Sequence, residues 1–361
     1  MDVSGYLELY PKGFGFLRHL EHNFNPTGND VYVPQSLIRQ FNLEEGAYLV
    51  GQAAEPDNNK NPYLYFIQTI NDMEPPQYKQ RINFREQVTI NPEERLKMTL
   101  NEKDTIGPCL DALCPMGKGQ RGLIVAPPKT GKTTILKHIA LAINTHHPEM
   151  EVLILLVDER PEEVTDFRRS VPKAHVLSSS ADEDTENHIR MTRLVMNSAI
   201  RKAEAGHNIV VLIDSLTRMG RAYNKKSNNN GRTLTGGLSA NALELPRRFF
   251  GAARNLEGGG SLSIIATILV NTGSKMDEII FQEFKGTGNL DLVLSQRCAE
   301  QRVWPAINIH ESGTRKEHLL LNEDELKQSM KVRQMLGSMN EVEAMRYMRK
   351  IIKDKELVFS A

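Results

Sequence analysis

Lys132 and Thr133, near the end of the stretch Gln120 to Leu136 (Q-R-G-L-I-V-A-P-P-K-T-G-K-T-T-I-L), are the residues whose chemistry is most sharply specified by spacing. A short apolar run, Leu123 to Ala126, passes through a turn-forming segment into Gly131-Lys132-Thr133-Thr134 and then into an apolar pattern of helical spacing. Strand, tight loop and helix N-terminus in that order aim consecutive backbone N–H groups and a helix dipole at phosphate oxygens. In such a cradle, with Thr130, Gly131 and Thr134 around the phosphates, Lys132 reaches the β- and γ-phosphates of ATP. The Thr133 hydroxyl ligands Mg²⁺. The pattern asks for Gly at its first position, where this chain has Ala126, which is tolerable if that residue keeps strand dihedrals.

Two carboxylates complete a hydrolytic set. Val152 to Val157 is a continuous apolar run, expected of a buried parallel strand, and it ends in Asp158-Glu159-Arg160. In open α/β sheets the ligand lies at the carboxyl ends of the strands, so Glu159 falls at the nucleotide, where it can orient and deprotonate the attacking water. Arg160 can bond a phosphate or a neighbouring subunit, and Glu162-Glu163 after Pro161 suit a first helical turn. Ile209 to Ile213 is a second apolar run, ending in Asp214, which is expected to hold Mg²⁺ through water. Arg218, four residues on, is read on the same helical face, as a relay of nucleotide state or as a surface ion pair.

A different chemistry is written near the N-terminus. In Lys12-Gly13-Phe14-Gly15-Phe16-Leu17-Arg18, period-2 geometry puts Phe14, Phe16 and Arg18 on one face. Two aromatics and a cation on an exposed face form a stacking platform for single-stranded bases. Tyr32 is a third stacking group and Asp30 an acceptor for a base amino group. The competing reading is that Phe14 and Phe16 point inward as barrel core.

The elements that must position these residues follow. Short β-rich runs at Gly5 to Tyr10, Gly13 to Arg18, Asp30 to Val33, Ala47 to Gln52 and Tyr63 to Ile70, with a helix at Ser36 to Phe41, predict a small OB-type barrel. Asp72 to Asn91, with Pro75-Pro76 and little periodicity, reads as a connector and Pro92 to Leu100 as a lead-in segment. The expected domains are an OB-type RNA-binding unit at 1–71, a connector at 72–104, and an ATPase unit at 105–361 with C-terminal helices.

Within the last, helices are expected at Lys132 to about Asn144, Asp182 to Ala205, Glu323 to Leu336 and Glu341 to Ile352, and strands at Leu262 to Val270, Leu290 to Leu294 and Pro305 to Ile309. A polar loop is expected from Asn224 to Gly237, with Gly236-Gly237. With the turn Asn271 to Lys275, it could grip a phosphate backbone or be an ordinary sheet-edge turn.

Composition sets the outer limits. The 361 residues carry 45 Lys plus Arg against 45 Asp plus Glu, so nucleic-acid binding must come from local patches. Cys109, Cys114 and Cys298 form no C-x-x-C pair and leave an odd count, which argues against a disulfide framework and a zinc site and in favour of buried small hydrophobes in a reducing compartment. No apolar run approaches a membrane span, and the N-terminus lacks a signal-peptide layout, so a cytoplasmic protein without membrane association is expected.

The motifs G-F-G-F-L-R, D-V-Y-V-P, G-L-I-V-A-P-P-K-T-G-K-T, V-D-E-R-P-E-E-V-T, L-I-D-S-L-T-R, R-R-F-F-G-A-A-R-N, T-G-S-K-M-D-E and S-G-T-R-K-E together resemble the Rho family of bacterial transcription termination factors. These are hexameric RecA-like RNA helicases. The resemblance implies an α/β fold, a RecA-like P-loop ATPase core preceded by an OB-type barrel.

It also implies a homohexameric ring that hydrolyses ATP with Mg²⁺, engages single-stranded RNA and acts on RNA polymerase. It places Phe14, Phe16, Arg18 and Tyr32 in a primary RNA site, and Thr235 to Leu238 with Thr272 to Lys275 in a second, translocating one. Lys129, Lys132, Thr133, Glu159, Arg160 and Asp214 form the ATP pocket, with Trp304 packing on adenine. Arg315 is the arginine finger of the adjacent subunit, and Arg302 a second basic group at that junction.

Two departures are expected from the family pattern: no helical segment ahead of the barrel, and asparagines in Lys225 to Gly231. The competing readings are a rotary or secretion-type ATPase subunit indifferent to RNA, and a nucleotide-gated RNA-binding protein without turnover.

Overall fold

The structure is a computed structural model that describes residues 1–55, 61–180, 182–227, 237–239, 241–355 and 357. Its first unit is a closed barrel in the order β1-β2-β3-β5-β4, built from β1 (Asp2–Leu9), β2 (Gly15–Arg18), β3 (Tyr32–Val33), β4 (Tyr48–Ala54) and β5 (Tyr63–Ile70). Helix α1 (Gln35–Phe41) lies between β3 and β4, as the sequence predicts. Alternation sorts the side chains: Leu7, Leu17, Val31, Val33, Leu49 and Leu64 fill the barrel, so Phe14 and Phe16 belong to its outer face.

The connector is more ordered than its composition implies. Helix α2 (Pro75–Gln80) starts on a proline pair and buries Tyr78 completely, while Arg81 bonds Glu204 at 2.8 Å and Glu44 at 2.7 Å. Strand β6 (Thr89–Ile90) is annexed by the main sheet, and β7 (Arg95–Leu96) pairs with β8 (Met116–Gly117) beyond α3 (Gly107–Leu113). Few apolar residues at regular spacing precede Arg81, so the tertiary contacts that order this segment left no periodic trace.

The second unit is a sheet in the order β11-β10-β12-β14-β9-β15-β16. It comprises β9 (Arg121–Ala126), β10 (Glu151–Glu159), β11 (His175–Ser180), β12 (Asn208–Asp214), β14 (Ser261–Leu269), β15 (Leu290–Val293) and β16 (Gly313–Thr314), with β13 (Arg254–Leu256) bridging β14 and β6. All but β16 on this path run parallel.

Successive strand residues face opposite ways and feed two cores. Ile154, Leu156 and Leu212 pack under α4 (Lys132–His146), α5 (Pro161–Ser170) and the C-terminal pair α11 (Glu323–Leu336) and α12 (Glu341–Lys353). Leu155, Val157 and Val211 pack under α6 (Thr185–Glu204), α7 (Leu216–Ser227), α8 (Glu244–Phe250) and α9 (Lys275–Phe284). A short α10 (Gln296–Glu300) follows β15.

Three sequence expectations change here. Asn224 to Ser227 are the last residues of α7 rather than loop. Pro305 to Ile309 make one isolated bridge, Leu294 with Ile307, instead of a strand. Arg218 is on α7 while Asp214 ends β12, so the two do not share a helix. The three cysteines are free and buried.

The barrel is seated on the ATPase unit. Its Tyr6, Phe24 and Tyr48 join the core beneath α6, and the Asn23 carboxamide exchanges hydrogen bonds with both backbone groups of Ser178 on β11.

Candidate functional site

The phosphate cradle forms because β9 ends at Ala126, which is fully buried and still paired in the sheet, so strand dihedrals satisfy that position without glycine. The loop then turns through Lys129 and Gly131 at positive φ, and the Thr130 hydroxyl donates to the Pro127 carbonyl at 2.7 Å, closing the turn. Gly131 suits this position: φ is +87°, where an L side chain is strained, and a Cβ would make a tight 3.1 Å approach to the Trp304 ring. That contact also puts Trp304, 38 % exposed, against the cradle. Lys129 and Thr134 are exposed and Thr133 half-buried at the helix start.

The chemistry converges on Lys132. Its Nζ donates to Asp214 Oδ2 at 2.6 Å and lies 3.7 Å from Glu159 Oε1. Burial lowers the ammonium pKa, but Asp214 and Glu159 outweigh it and leave it above its ordinary value. Asp214 is fully buried, and its other oxygen accepts from the Thr267 hydroxyl at 2.7 Å.

Glu159 is 2 % exposed at the end of β10, where a bulge after Val157 with Asp158 at positive φ turns it inward. Burial first, and then the charge of Asp214, push its carboxyl up to about 7 against the pull of Lys132 and Arg218. Arg218 donates to Asp158 at 3.1 Å and, through Nη2, to Glu159 Oε2 at 3.5 Å, while its Nε lies 3.2 Å from Glu159 Oε1 as an ion pair without hydrogen-bond geometry.

A nearly dry carboxylate of raised pKa beside an ammonium is suited to taking a proton from water. Among the described residues no cluster of three or more His, Cys, Asp or Glu could hold a metal alone. One buried carboxylate with a lysine in cationic contact and a nearby Thr hydroxyl fits Mg²⁺ held largely by phosphates.

Arg160 is exposed and caps α5 with Pro161 at N1. The remaining basic groups are separated. Arg302, exposed and at positive φ, is two residues from Trp304 on the cradle side. Arg315 is exposed and follows β16, its backbone N–H bonded to Asn289, whose own N–H bonds Arg121 at the start of β9. The six residues of β9 therefore lie between Arg315 and the cradle, a span of about 20 Å.

On the barrel, the outer face of β1 to β3 carries Tyr10, Phe14, Phe16 and Tyr32. Tyr10 stacks on Phe14 at 5.3 Å, and Phe16 stands edge-on to Tyr32 at 5.8 Å. Tyr10 is the member that sequence reasoning missed; its strand parity matched, but its contact needs the β1–β2 register.

Arg18 and Asp30 require correction. Arg18 shares the face but is buried, bonded to Glu8 at 2.5 Å, to Asp30 and to the Tyr10 hydroxyl at 2.7 Å, with its guanidinium 5.2 Å from the Phe16 ring. The Asp30 carboxylate is taken by Arg18 and Thr27, so neither group stands free at the surface. Glu8 continues the network to Arg190 of α6 at 2.5 Å. Burial raises the Glu8 pKa, but Arg190 and Arg18 together hold it below the ordinary value.

A third group gathers at the ends of β12 and β14. Gly237 accepts from Asn224 at 2.9 Å and packs beside Met276, the neighbour of exposed Lys275. Arg221 and Thr272 hold Asp277 in the first turn of α9, fixing the 272–275 turn. Gly236 and Thr235 lie outside the described residues.

Comparison with known proteins adds to this geometry. The ATP synthase alpha/beta family nucleotide-binding domain matches residues 108–314, and the Rho termination factor RNA-binding domain matches residues 3–76. Over 96 % of its length the chain is 46 % identical to transcription termination factor Rho of Cereibacter sphaeroides, covering 82 % of that protein. It is 47 % identical to the proteins of that name from Aquifex aeolicus and Haemophilus influenzae, covering 80 % and 83 % of them. In fold it is similar to a prototypical ATPase of a bacterial type III secretion system, with TM-score 0.62 at 20 % identity over 83 % of this chain and 87 % of that one.

Proposed function

The chain belongs to the transcription termination factor Rho family, and from that premise we propose that it is an RNA-stimulated ATP-driven translocase and helicase that ends transcription from nascent single-stranded RNA. It is an ATP-hydrolysing enzyme with an RNA-binding domain. The observation that carries the finer reading is the docking of an outward aromatic platform, through Arg18, Glu8 and Arg190, onto the helix layer that also frames the ATPase centre.

In this reading, Lys132 exchanges Asp214 for the β- and γ-phosphates of ATP, and Glu159, held by Arg218, accepts the proton of the attacking water. Trp304 packs on the base, while Lys129, Thr130, Gly131 and Thr134 surround the phosphates with Arg160 alongside. The Thr133 hydroxyl, and Asp214 through water, would hold Mg²⁺, which when bound would supply charge neutralisation for the transferring phosphoryl group.

Arg315 serves the nucleotide of a neighbouring copy, a reading supported by its place at the strand ends opposite its own cradle; this favours a homohexameric ring with Arg302 across the same junction. Phe14, Phe16 and Tyr32, with Tyr10, take bases. Arg18 and Asp30 hold that platform in place, and Gly236, Gly237 and Lys275 follow the backbone of translocating RNA.

The unit boundaries are 1–71, 72–104 and 105–361, the partner is RNA polymerase, and the compartment is the cytoplasm. Among the described residues no helix is long and apolar enough to cross a membrane. The secretion ATPases share the fold at 20 % identity, and the platform that they would not need favours the RNA reading.

The test is strand displacement. An RNA–DNA hybrid with a pyrimidine-rich single-stranded RNA overhang should be unwound with ATP and left intact without the overhang; displacement indifferent to the overhang overturns the reading.

A further inference from the structure

Where the barrel, the connector and the ATPase unit meet, they leave a cavity of about 520 Å³. Leu43 of the barrel, Phe84 and Arg85 of the connector, Arg248 and Phe249 of α8 and Arg254 of β13 line it. A space of that size takes a small molecule, and such sites favour junctions between units. No residue of the phosphate cradle or of the aromatic platform lines it.

Its charges do not balance. Glu44 is taken by Arg81 at 2.7 Å and by Arg201 at 2.8 Å, and Glu45 by Arg193 at 3.0 Å and Asn197 at 2.8 Å. Arg201, which also lines the cavity, is held in addition by Glu204 at 3.1 Å. Arg85, Arg248 and Arg254 have no carboxylate partner among the described residues. Arg254 is half-buried, and its guanidinium lies 4.6 Å over the Phe84 ring. Its Nε donates to the Ala252 carbonyl at 3.2 Å and its Nη1 to the Phe84 carbonyl at 3.5 Å, which leaves Nη2 without a hydrogen bond.

Burial first, and then the charge of Arg85, hold Arg254 below its ordinary pKa. Arg121 beyond it is lowered by burial and by Arg254 and Arg315, and its buried Nε has no partner. Cations that meet one another out of water are costly until an anion joins them.

We propose that this cavity binds a small phosphate-bearing ligand, a phosphomonoester of nucleotide size, with its phosphate among Arg85, Arg248 and Arg254 and its body against Leu43 and Phe249. Guanidinium forks match phosphate oxygens, and a phosphomonoester brings close to two negative charges to the unpaired cations. A ligand there touches the barrel, the connector and α8 at once, so it braces the seating of one unit on the other and stabilises the folded chain.

The experiment titrates the full chain with adenosine monophosphate by calorimetry, with inorganic phosphate and adenosine as the two halves of the probe. It compares wild type with Arg85→Gln/Arg254→Gln, Arg248→Gln, Lys132→Ala and Phe14→Ala/Phe16→Ala. Adenosine monophosphate should bind wild type and raise its thermal midpoint. Inorganic phosphate should compete with it, and adenosine alone should not. Binding should weaken about 10- to 150-fold in Arg85→Gln/Arg254→Gln. It should also weaken in Arg248→Gln, which removes an exposed side chain and should leave the midpoint of the free protein unchanged. Lys132→Ala and Phe14→Ala/Phe16→Ala should bind as wild type does.

Adenosine monophosphate that fails to bind wild type, or that binds the arginine variants equally well, overturns the proposal. So does its loss in Lys132→Ala or Phe14→Ala/Phe16→Ala, which returns the ligand to the cradle or the platform. Displacement by the dinucleotide UpU, which has no terminal phosphate, overturns it in favour of an RNA chain. Altered sedimentation of Arg85→Gln/Arg254→Gln overturns it in favour of a carboxylate from a second copy.

Discussion

Glu159 is the residue whose environment makes the most specific demands. Its carboxyl is raised from the ordinary 4.5 to about 7 by burial and by Asp214, so the folded state binds this proton more tightly than the unfolded chain. By linkage Glu159 costs stability progressively as pH rises from about 4.5 to about 7, and the full cost applies above that. In nucleotide-free protein, Glu159→Gln should therefore gain thermal stability relative to wild type as pH is raised from about 5 to about 8; a difference flat in pH would contradict the assignment. The same variant should lose about 10²- to 10⁴-fold in ATP turnover.

Much of this centre was legible, because Glu159 and Asp214 end strands whose apolar runs announce their burial, Lys132 opens the helix after the loop that leaves β9, and parallel strands bring those ends together. The burial of Arg18 and Asp30 was not. Alternation tells which face a residue shares but not what covers that face, and here Glu8, Thr27 and Arg190 of α6 close over it.

Between elements, the barrel and α6 meet more tightly than a tethered pair would. Gly46, at φ +87°, lies so close that an added Cβ would stand 2.4 Å from the backbone of Asn197 and Ser198 on α6. Gly46→Ala meets both a strained dihedral and a backbone clash, and should cost about 2–3 kcal/mol, read as a lowered denaturation midpoint. Arg190→Ala leaves Glu8 with Arg18 alone and should cost about 1.5–3 kcal/mol. If neither variant moves the midpoint, the seating is not part of the folded unit.

The sequence carried the barrel strands closely, with β5 matching from Tyr63 to Ile70, because alternation and turn residues are local signals. It missed the ordered connector, whose anchors Tyr78 and Arg81 find their partners on β5, α1 and α6. It also shortened α7, since polar Asn224 to Ser227 give no apolar period although Asn224 is buried against Gly237.

At the scale of the molecule, one chain holds a cradle at one end of its sheet and Arg315 at the other, so the proposed completion of hydrolysis by Arg315 requires an assembly. Mixing Arg315→Ala subunits with wild type should lower activity more steeply than their fraction, whereas a linear loss would mean that each chain works alone. The homogeneous variant should lose about 10³-fold or more in turnover. None of this was readable from spacing alone, because the distance between the cradle and Arg315 is set by the length of β9, which carries the cradle at its end and is tied through Asn289 to Arg315 at its start.

The measurement that bears most directly on the whole account is ATP hydrolysis by the purified protein with and without poly-pyrimidine RNA, with double-stranded DNA as the control. Strong stimulation by single-stranded RNA alone, weakened in Phe14→Ala/Phe16→Ala and absent in Lys132→Ala, is the predicted result. Turnover equal with and without RNA would contradict it, leaving an ATPase whose barrel serves only assembly.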